Sequence, residues 1–206
     1  MRKEKNWREL IKPRLLEVDD KSLGPTYGRF VARPLERGFG LTLGNALRRT
    51  LLSSIRGAAV VGVKIEGVPH EFSTVPGMTE DVSDVVLNLK ELILKMHTDD
   101  LKTLRLKAKG PKVVKASDIE LDNTVEILNA DLHITTLAED AELDMELYVK
   151  AGRGFVLAEK NRQLGLAVNS IPVDATFSPI RKVNYTLTNH RVGQMTDYDK
   201  LVLEVW

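Results

Sequence analysis

The sequence contains no cysteine among its 206 residues. Disulfides, zinc–thiolate sites, iron–sulfur clusters and thiol catalysis are therefore excluded. The histidines lie far apart, and no two of them have the i,i+3 or i,i+4 spacing of a local metal motif: His70, His97, His133 and His190. We therefore expect neither a catalytic metal nor a cofactor.

The chain also lacks any uncharged apolar run near the ~20 residues that span a bilayer. Its opening segment, MRKEKNWREL, contains no hydrophobic stretch typical of a signal peptide. These absences predict a soluble, cytoplasmic protein with no membrane partner. Aromatic residues make up only 5% of the chain, which argues against a surface that stacks on the bases of single-stranded nucleic acid.

Charge of one sign is not in excess either, because 30 Lys and Arg stand against 29 Asp and Glu. This balance is not typical of a protein that binds nucleic acid with its whole surface. The distribution is uneven, however. Residues 1–56 carry 13 bases against 6 acids, a net +7, which leaves 17 against 23, a net −6, for residues 57–206.

Two charged segments in the second stretch predict facing strands. In LRLKAK (104–109) apolar residues alternate with bases, and in ELDMELY (142–148) they alternate with acids. Pairing them in one sheet would place opposite charges across the ladder on the wet face. We therefore interpret the charges as a solvated sheet face. A nucleic-acid-binding module that uses the basic segments 1–56 and 102–115 is the alternative.

The remaining pattern predicts an α+β fold. Short, β-branched or alternating segments predict strands at 29–33, 59–65, 124–128, 132–137, 154–157, 182–187 and 200–206. A first helix is predicted from a cap at Thr42 to about Ile55, with Gly57 suited to end it. A second is predicted with Thr79 as its candidate cap, and its end is ambiguous because residues 92–96 fit either a strand or a continued helix.

The first predicted helix combines a wide apolar stripe with two arginines. The stripe consists of Leu43, Ala46, Leu47, Thr50, Leu51 and Ser54. Arg48 and Arg49 are about 100° apart on a helix, so at most one lies beside the stripe. An arginine in that place is a common anchor of protein interfaces, and a solvated arginine is the alternative.

No motif in the chain indicates catalysis. The glycines of segment 36–50 precede a helix as a phosphate-binding loop would, but the Lys and hydroxyl of a P-loop do not follow Gly44. The Asp/Glu pairs are sequential, so their side chains point apart. Neither G-x-S-x-G nor H-E-x-x-H occurs. We therefore predict no catalytic residue.

Four separated motifs carry a resemblance that covers nearly the whole chain. They are PLERGFGLTLGNALRRTLLSS (34–54), HEFSTVPGMTEDV (70–82), VDATFSPIRKVNY (173–185) and TDYDKLVLEV (196–205). Together and in this order they resemble the amino-terminal domain of the alpha-subunit family of bacterial DNA-directed RNA polymerase. Members of that family continue beyond the point matching Trp206 with a further dimerisation helix, a linker and a DNA-binding carboxyl-terminal domain. No direct promoter contact is therefore expected of this chain.

The resemblance implies a two-part unit with a role in assembly. A dimerisation part, 1–56 and 175–206, would hold an inserted and mainly β domain, 57–174. The chain would be a non-catalytic homodimeric scaffold that recruits the beta and beta prime subunits of a nucleotidyltransferase complex. By position, the implied dimer contacts are Leu43, Leu47, Thr50 and Leu51. The implied beta-subunit contacts are Arg49 and Leu52. The implied beta-prime contacts are Lys90, Asp174, Phe177, Ser178 and Pro179.

Overall fold

The computed structural model describes residues 10, 11, 13, 15–192 and 195–206. Its internal contacts divide the chain into two compact units. The terminal unit consists of Met1–Ile55 and Ile180–Trp206, and the insert unit consists of Arg56–Pro179. The α+β prediction is confirmed, with strands predominating.

The elements follow one another in short segments. The strands, in chain order, are β1 (Leu16–Val18), β2 (Gly28–Glu36), β3 (Arg56–Ile65), β4 (Leu94–Met96), β5 (Lys102–Lys109), β6 (Lys112–Lys115), β7 (Ile119–Glu120), β8 (Val125–Ile127), β9 (His133–Leu137), β10 (Glu142–Arg153), β11 (Phe155–Val156), β12 (Ile171–Pro172), β13 (Ala175–Thr176), β14 (Val183–Val192) and β15 (Met195–Val205). The α-helices are α1 (Phe39–Ser54), α2 (Val82–Lys90) and α3 (Ala158–Asn161). Short 3-10 helices span Ala116–Asp118 and Arg162–Leu164.

The terminal unit is an antiparallel sheet in the order β1-β2-β15-β14, with α1 packed against it. Ala32 of β2 faces Leu201 of β15, whereas Leu35 faces Asp199, so β2 carries one extra residue between these pairs. A bulge of this kind changes which side chains share a face. It brings Ala32 and Leu35, three positions apart, into one buried cluster with Leu201.

The insert unit is built on a sheet in the order β7-β5-β10-β3-β4-β8, to which β12 adds by pairing with β3. Two small ribbons, β11–β13 and β6–β9, complete its strands. The apolar face of α2 is buried in the core of this unit through Val82, Val85, Val86 and Leu89. Because these residues recur at helical spacing while the strands alternate, both elements bury one side in the same core.

The predicted pairing of the basic and acidic segments is confirmed. Strands β5 and β10 are antiparallel neighbours, with Lys109 opposite Glu142 and Lys107 opposite Asp144. The apolar partners in the same ladder, among them Leu106 opposite Met145, are buried. The charges therefore occupy the wet face of the sheet, as the alternation indicated.

Two predicted helix signals are wrong in the insert unit. Gly57 does not end a helix but lies inside β3, where a Cβ would collide with the carbonyl oxygen of Phe177. Thr79 does not cap α2, because its amide donates to the Thr136 carbonyl at 3.0 Å and the N-cap position belongs to Asp81. The ambiguity at 92–96 is settled in favour of a strand, since α2 ends at Lys90 and β4 follows.

Candidate interaction surfaces

Helix α1 lies on the sheet of the terminal unit through a face that has almost no side chains. Gly40 and Gly44 are its buried residues. A Cβ at Gly40 would stand 2.7 Å from Cδ2 of Leu187, and one at Gly44 would stand 2.8 Å from Cδ2 of Tyr185. Both distances are below van der Waals contact, so only glycine allows the helix to come this close.

The start of α1 differs from the prediction. The helix begins at Phe39, not after a cap at Thr42, and its N-cap is Gly38 in the left-handed conformation with φ 88°. The amides of Gly38 and Gly40 donate to Oδ2 of Asp199 at 2.8 and 3.3 Å. A carboxylate 161 residues away from Gly38 therefore satisfies amides that a local cap normally serves.

Because the buried positions of α1 are glycines, several of its apolar side chains stay exposed. Leu43 and Leu47 are 38% and 41% exposed. Thr50 is exposed and Leu51 is half-buried. With Phe39, which is also exposed, these residues fall within an arc of about 120° on the helix, and we call them the leucine flank.

The two arginines of α1 are both exposed. Arg49 is about 200° from Leu47 around the helix axis, and the half-buried Leu52 is about 60° from Arg49. We call Arg49 and Leu52 the arginine flank. The leucine and arginine flanks thus lie on different sides of one helix, so a protein bound to one leaves the other accessible.

A second set of predicted contact residues is brought together in the insert unit. Nζ of Lys90, at the end of α2, lies 3.5 Å from Oδ2 of Asp174. The other carboxylate oxygen, Oδ1, accepts the Ala158 amide at 2.8 Å. Both charged groups remain about one-third exposed beside a cavity of about 80 Å³ that Phe155 also lines. Asp174 therefore links the end of α2 to the start of α3.

The residues of the loop after Asp174 differ in how far they are exposed. Phe177 is only 4% exposed and packs with Val61 and Tyr148, and its amide donates to the Gly154 carbonyl at 2.8 Å. Ser178 is half-buried and Pro179 is exposed. The side chain of Phe177 thus has almost no surface for a partner and acts as the support of the loop.

Sequence reasoning missed two exposed apolar residues near this ion pair. Phe155 is 59% exposed and Leu157 is 52% exposed. Both lie in segment 154–157, which the sequence predicts only as a strand. A large aromatic residue directly after Gly154, in a two-residue strand, was the available signal.

The bases of the cluster at 102–115 are all paired with carboxylates within the insert unit. Each of its six bases forms an ion pair: Lys102–Asp122 (3.1 Å), Arg105–Asp144 (2.8 Å), Lys107–Asp144 (3.1 Å), Lys109–Glu142 (2.6 Å), Lys112–Asp118 (2.6 Å) and Lys115–Asp131 (3.6 Å). Hydrogen bonds from Arg105 and then Lys107 lower the pKa of Asp144 to about 2. Phosphates would have to compete with these carboxylates, which argues against the nucleic-acid alternative.

Glu80 is a partly buried carboxylate with several hydrogen-bond partners. It accepts hydrogen bonds from the Thr135 hydroxyl at 2.8 Å and the Thr136 amide at 2.7 Å, and it lies 3.0 Å from His133. Burial raises its pKa, but these hydrogen bonds outweigh burial and hold the pKa below its ordinary value. An ionised acceptor of this kind ties the segment before α2 to β9 and is not poised to donate a proton.

Neither metal-binding nor membrane-spanning features occur in the part of the chain that the structure describes. There, no group of three or more His, Asp or Glu side chains is placed to hold a metal ion. No helix in that part is long and apolar enough to cross a membrane.

Comparison with known proteins gives consistent matches. A family model described as the RNA polymerase Rpb3/RpoA insert domain matches residues 63–178. A DNA-directed RNA polymerase subunit alpha of Geobacter metallireducens is 58% identical over 202 residues, which cover 98% of this chain and 59% of the relative. The same subunit of Pelobacter propionicus is 54% identical over 202 residues, with the same coverage. That of Desulfitobacterium hafniense is 57% identical over 198 residues, covering 96% and 62%. The chain thus spans about three-fifths of the length of the curated relatives it matches.

Proposed function

The chain belongs to the alpha-subunit family of DNA-directed RNA polymerase, and from that premise we propose that it is a non-catalytic assembly scaffold. In this role it forms a homodimer and recruits the beta and beta prime subunits for DNA-templated transcription. The observation that carries the proposal is the exposed leucine flank on a helix that is already packed on its own sheet through Gly40 and Gly44. The same role places the chain in the bacterial cytoplasm.

A second copy of the chain is the proposed partner of the leucine flank. A two-fold axis brings the same patch of two chains together, so a helix with an exposed apolar flank can pack against its own copy. Burying the exposed Leu43 and Leu47 from both copies removes apolar area from water. Stable assembly interfaces of this kind bury on the order of 2,000 Å² or more, to which α1 supplies the centre.

The arginine flank is proposed to contact the beta subunit. Arg49 is exposed and lies away from the leucine flank, so it stays available after the two copies have paired. A guanidinium binds carboxylates through two parallel hydrogen bonds, and its stem packs on apolar surface such as Leu52. We therefore assign the beta contact to Arg49 and Leu52.

The Lys90–Asp174 surface of the insert unit is proposed to contact the beta prime subunit. Lys90, Asp174, Ser178 and Pro179 would meet the partner, while the buried Phe177 supports the loop from inside. A homodimer presents every surface twice. Two different large subunits that bind to it therefore break its symmetry.

Variants of the neighbouring arginines test this assignment. Arg49→Ala should leave the dimer intact but weaken co-purification with the beta subunit, because a charged interface anchor is lost. Arg48→Ala is the matched control, since the same residue type is removed about 100° away on the same helix. Equal beta capture by both variants and the unchanged chain would contradict the assignment.

Lys90→Ala provides the complementary measurement. It should keep both the dimer and the capture of beta, and it should lose part of the capture of beta prime. Light scattering with and without each large subunit gives the molar masses. A chain that stays monomeric at high concentration would overturn the scaffold proposal as a whole.

We propose no direct contact with promoter DNA for this chain. The six bases of the 102–115 cluster are paired with five carboxylates, which leaves little excess positive charge there for phosphates. Nucleic-acid binding that weakens steeply with the logarithm of the salt concentration would favour the alternative function instead.

A further inference from the structure

Polar contacts as well as glycines hold α1 on its sheet. At the start of the helix, Oδ2 of Asp199 on β15 accepts the amides of Gly38 and Gly40 at 2.8 and 3.3 Å. Further along, the hydroxyl of Tyr185 on β14 donates to Oδ1 of Asn45 at 2.8 Å. The helix is therefore attached to two neighbouring strands at two points along its length.

No side chain from α1 itself caps the start of the helix, so the contacts with Asp199 are not redundant. Its N-cap residue, Gly38, has no side chain, and its first turn contains no acidic residue. The free amides and the positive dipole end of a helix are stabilised by a nearby negative charge. Asp199 supplies both the acceptor oxygen and the charge from a strand that the helix crosses.

Because the buried residues of α1 are Gly40 and Gly44, the orientation of the helix depends on these polar contacts. Side chains that interdigitate with a neighbouring sheet prevent a helix from rolling about its axis. Gly40 and Gly44 have no side chains to interdigitate, so they permit a close approach but oppose rotation only weakly. Any roll would carry the leucine flank away from its exposed position.

We propose that Asp199 is a positioning residue that sets α1 in the orientation from which it meets a second copy of this chain. Asp199 itself does not contact the second copy. It acts through the helix, with Tyr185 as the second attachment point. The inference rests on the proposed function, because it concerns the same self-association surface.

Variants at Asp199 test the inference by the dissociation constant of the dimer. Loss of a helix cap corresponds to about a fivefold change per helix, so Asp199→Ala should raise the dimer Kd about 25-fold, with one cap lost in each copy. Asp199→Asn keeps an acceptor oxygen without the charge and should show a smaller increase. Tyr185→Phe keeps the ring against Gly44 and removes only the hydroxyl bond, a loss of about twofold per copy at the low end, so it should raise Kd about fourfold.

The control is Glu204→Ala. Glu204 lies on the same strand, and it accepts a hydrogen bond from Tyr27 at 2.7 Å instead of contacting α1. Its loss removes a comparable carboxylate contact from the terminal unit. It should therefore leave Kd within about twofold of the unchanged chain, in line with surface substitutions generally.

Amide hydrogen exchange distinguishes positioning from general stability. In Asp199→Ala, the amides at the start of α1 should exchange faster, while those in the β14–β15 ladder should keep their protection. Lost protection throughout that ladder would refute a positioning role. An unchanged Kd, in a chain that otherwise dimerises, would overturn the inference and leave the proposed function standing. A lack of self-association in the unchanged chain would overturn the proposed function and the inference with it.

Discussion

Gly44→Ala should destabilise the terminal unit, although the same change in an unobstructed helix is stabilising. An alanine in a helix interior is about 1 kcal/mol more favourable than glycine. At this position, however, the new Cβ would stand 2.8 Å from Cδ2 and 3.0 Å from Cγ of the Tyr185 ring. Whether Gly44→Ala lowers or raises the free energy of unfolding therefore shows whether the helix lies in close contact with Tyr185.

The magnitude follows from how far the atoms must separate. Carbon atoms pack best at about 3.5–4.0 Å, so helix and ring must move apart by roughly 0.7–1.2 Å. The ring is rigid, and its hydroxyl is bonded to Asn45 at 2.8 Å, so it does not turn away freely. Overpacking of this kind destabilises by about 1–3 kcal/mol. After subtraction of the helix preference, a net loss of about 1 kcal/mol is expected.

Urea unfolding followed by tryptophan fluorescence measures this loss. The insert unit contains no tryptophan, whereas Trp206 lies in the terminal unit against the ring of Tyr27 at 5.1 Å. The protein concentration must be the same for every variant, because self-association adds to apparent stability. Gly40→Ala is a second variant for comparison, for which a smaller loss of stability is expected. Its nearest neighbour is the end of the Leu187 side chain, which can rotate, so its loss should be smaller.

An increase in stability of about 1 kcal/mol for Gly44→Ala would refute the reasoning, because it would show an open helix surface at this position.

Two further predictions concern the insert unit. Because the pKa of Asp144 is lowered from 3.8 to about 2, its ion pairs contribute stability above pH 3.8 that is lost as the pH falls towards 2. Asp144→Asn should therefore flatten that part of the acid dependence seen by circular dichroism, and an equal acid dependence in both proteins would contradict the assignment. Gly57→Ala should destabilise the unit by about 1–3 kcal/mol in thermal unfolding, because the carbonyl of Phe177 blocks a Cβ there. Gly24→Ala, which meets nothing within 4 Å, is its control and should leave the melting temperature nearly unchanged.

Features encoded by neighbouring residues could be predicted from the sequence. The pairing of β5 with β10 was predictable because each strand alternates apolar and charged residues and the two charge signs are opposite. The helical spacing of Val82, Val85 and Leu89 likewise identified α2. In both cases the pattern within one segment determines which side is buried.

Features that depend on distant residues could not be predicted in this way. The N-cap of α1 was placed four residues late, at Thr42 instead of Gly38, because the amides there are satisfied by Asp199, which no local pattern connects to Gly38. Gly57 was taken as a helix end because the approach of the Phe177 carbonyl cannot be read from its neighbours.

The candidate contact residues required more than spacing. The stripe of α1 indicated an apolar side, but only the structure shows that glycines occupy the sheet-facing side and leave Leu43 and Leu47 exposed. Lys90 and Asp174 are far apart in sequence, so their ion pair follows from the fold alone. Their roles as contacts to large subunits stay predictions.

The pairing of β2 with β15 has a consequence for how a nascent chain matures on the ribosome. Val31 and Val202, which face each other in that ladder, are 171 residues apart, so the sheet that carries α1 forms only after translation has passed the whole of Arg56–Pro179. The intervening unit can fold first, and its folding brings Gly57 beside Phe177, which closes most of the loop between the two strands. Unfinished polypeptides therefore lack the sheet on which α1 is displayed, so the proposed pairing of two copies would have to wait until β15 has been synthesised.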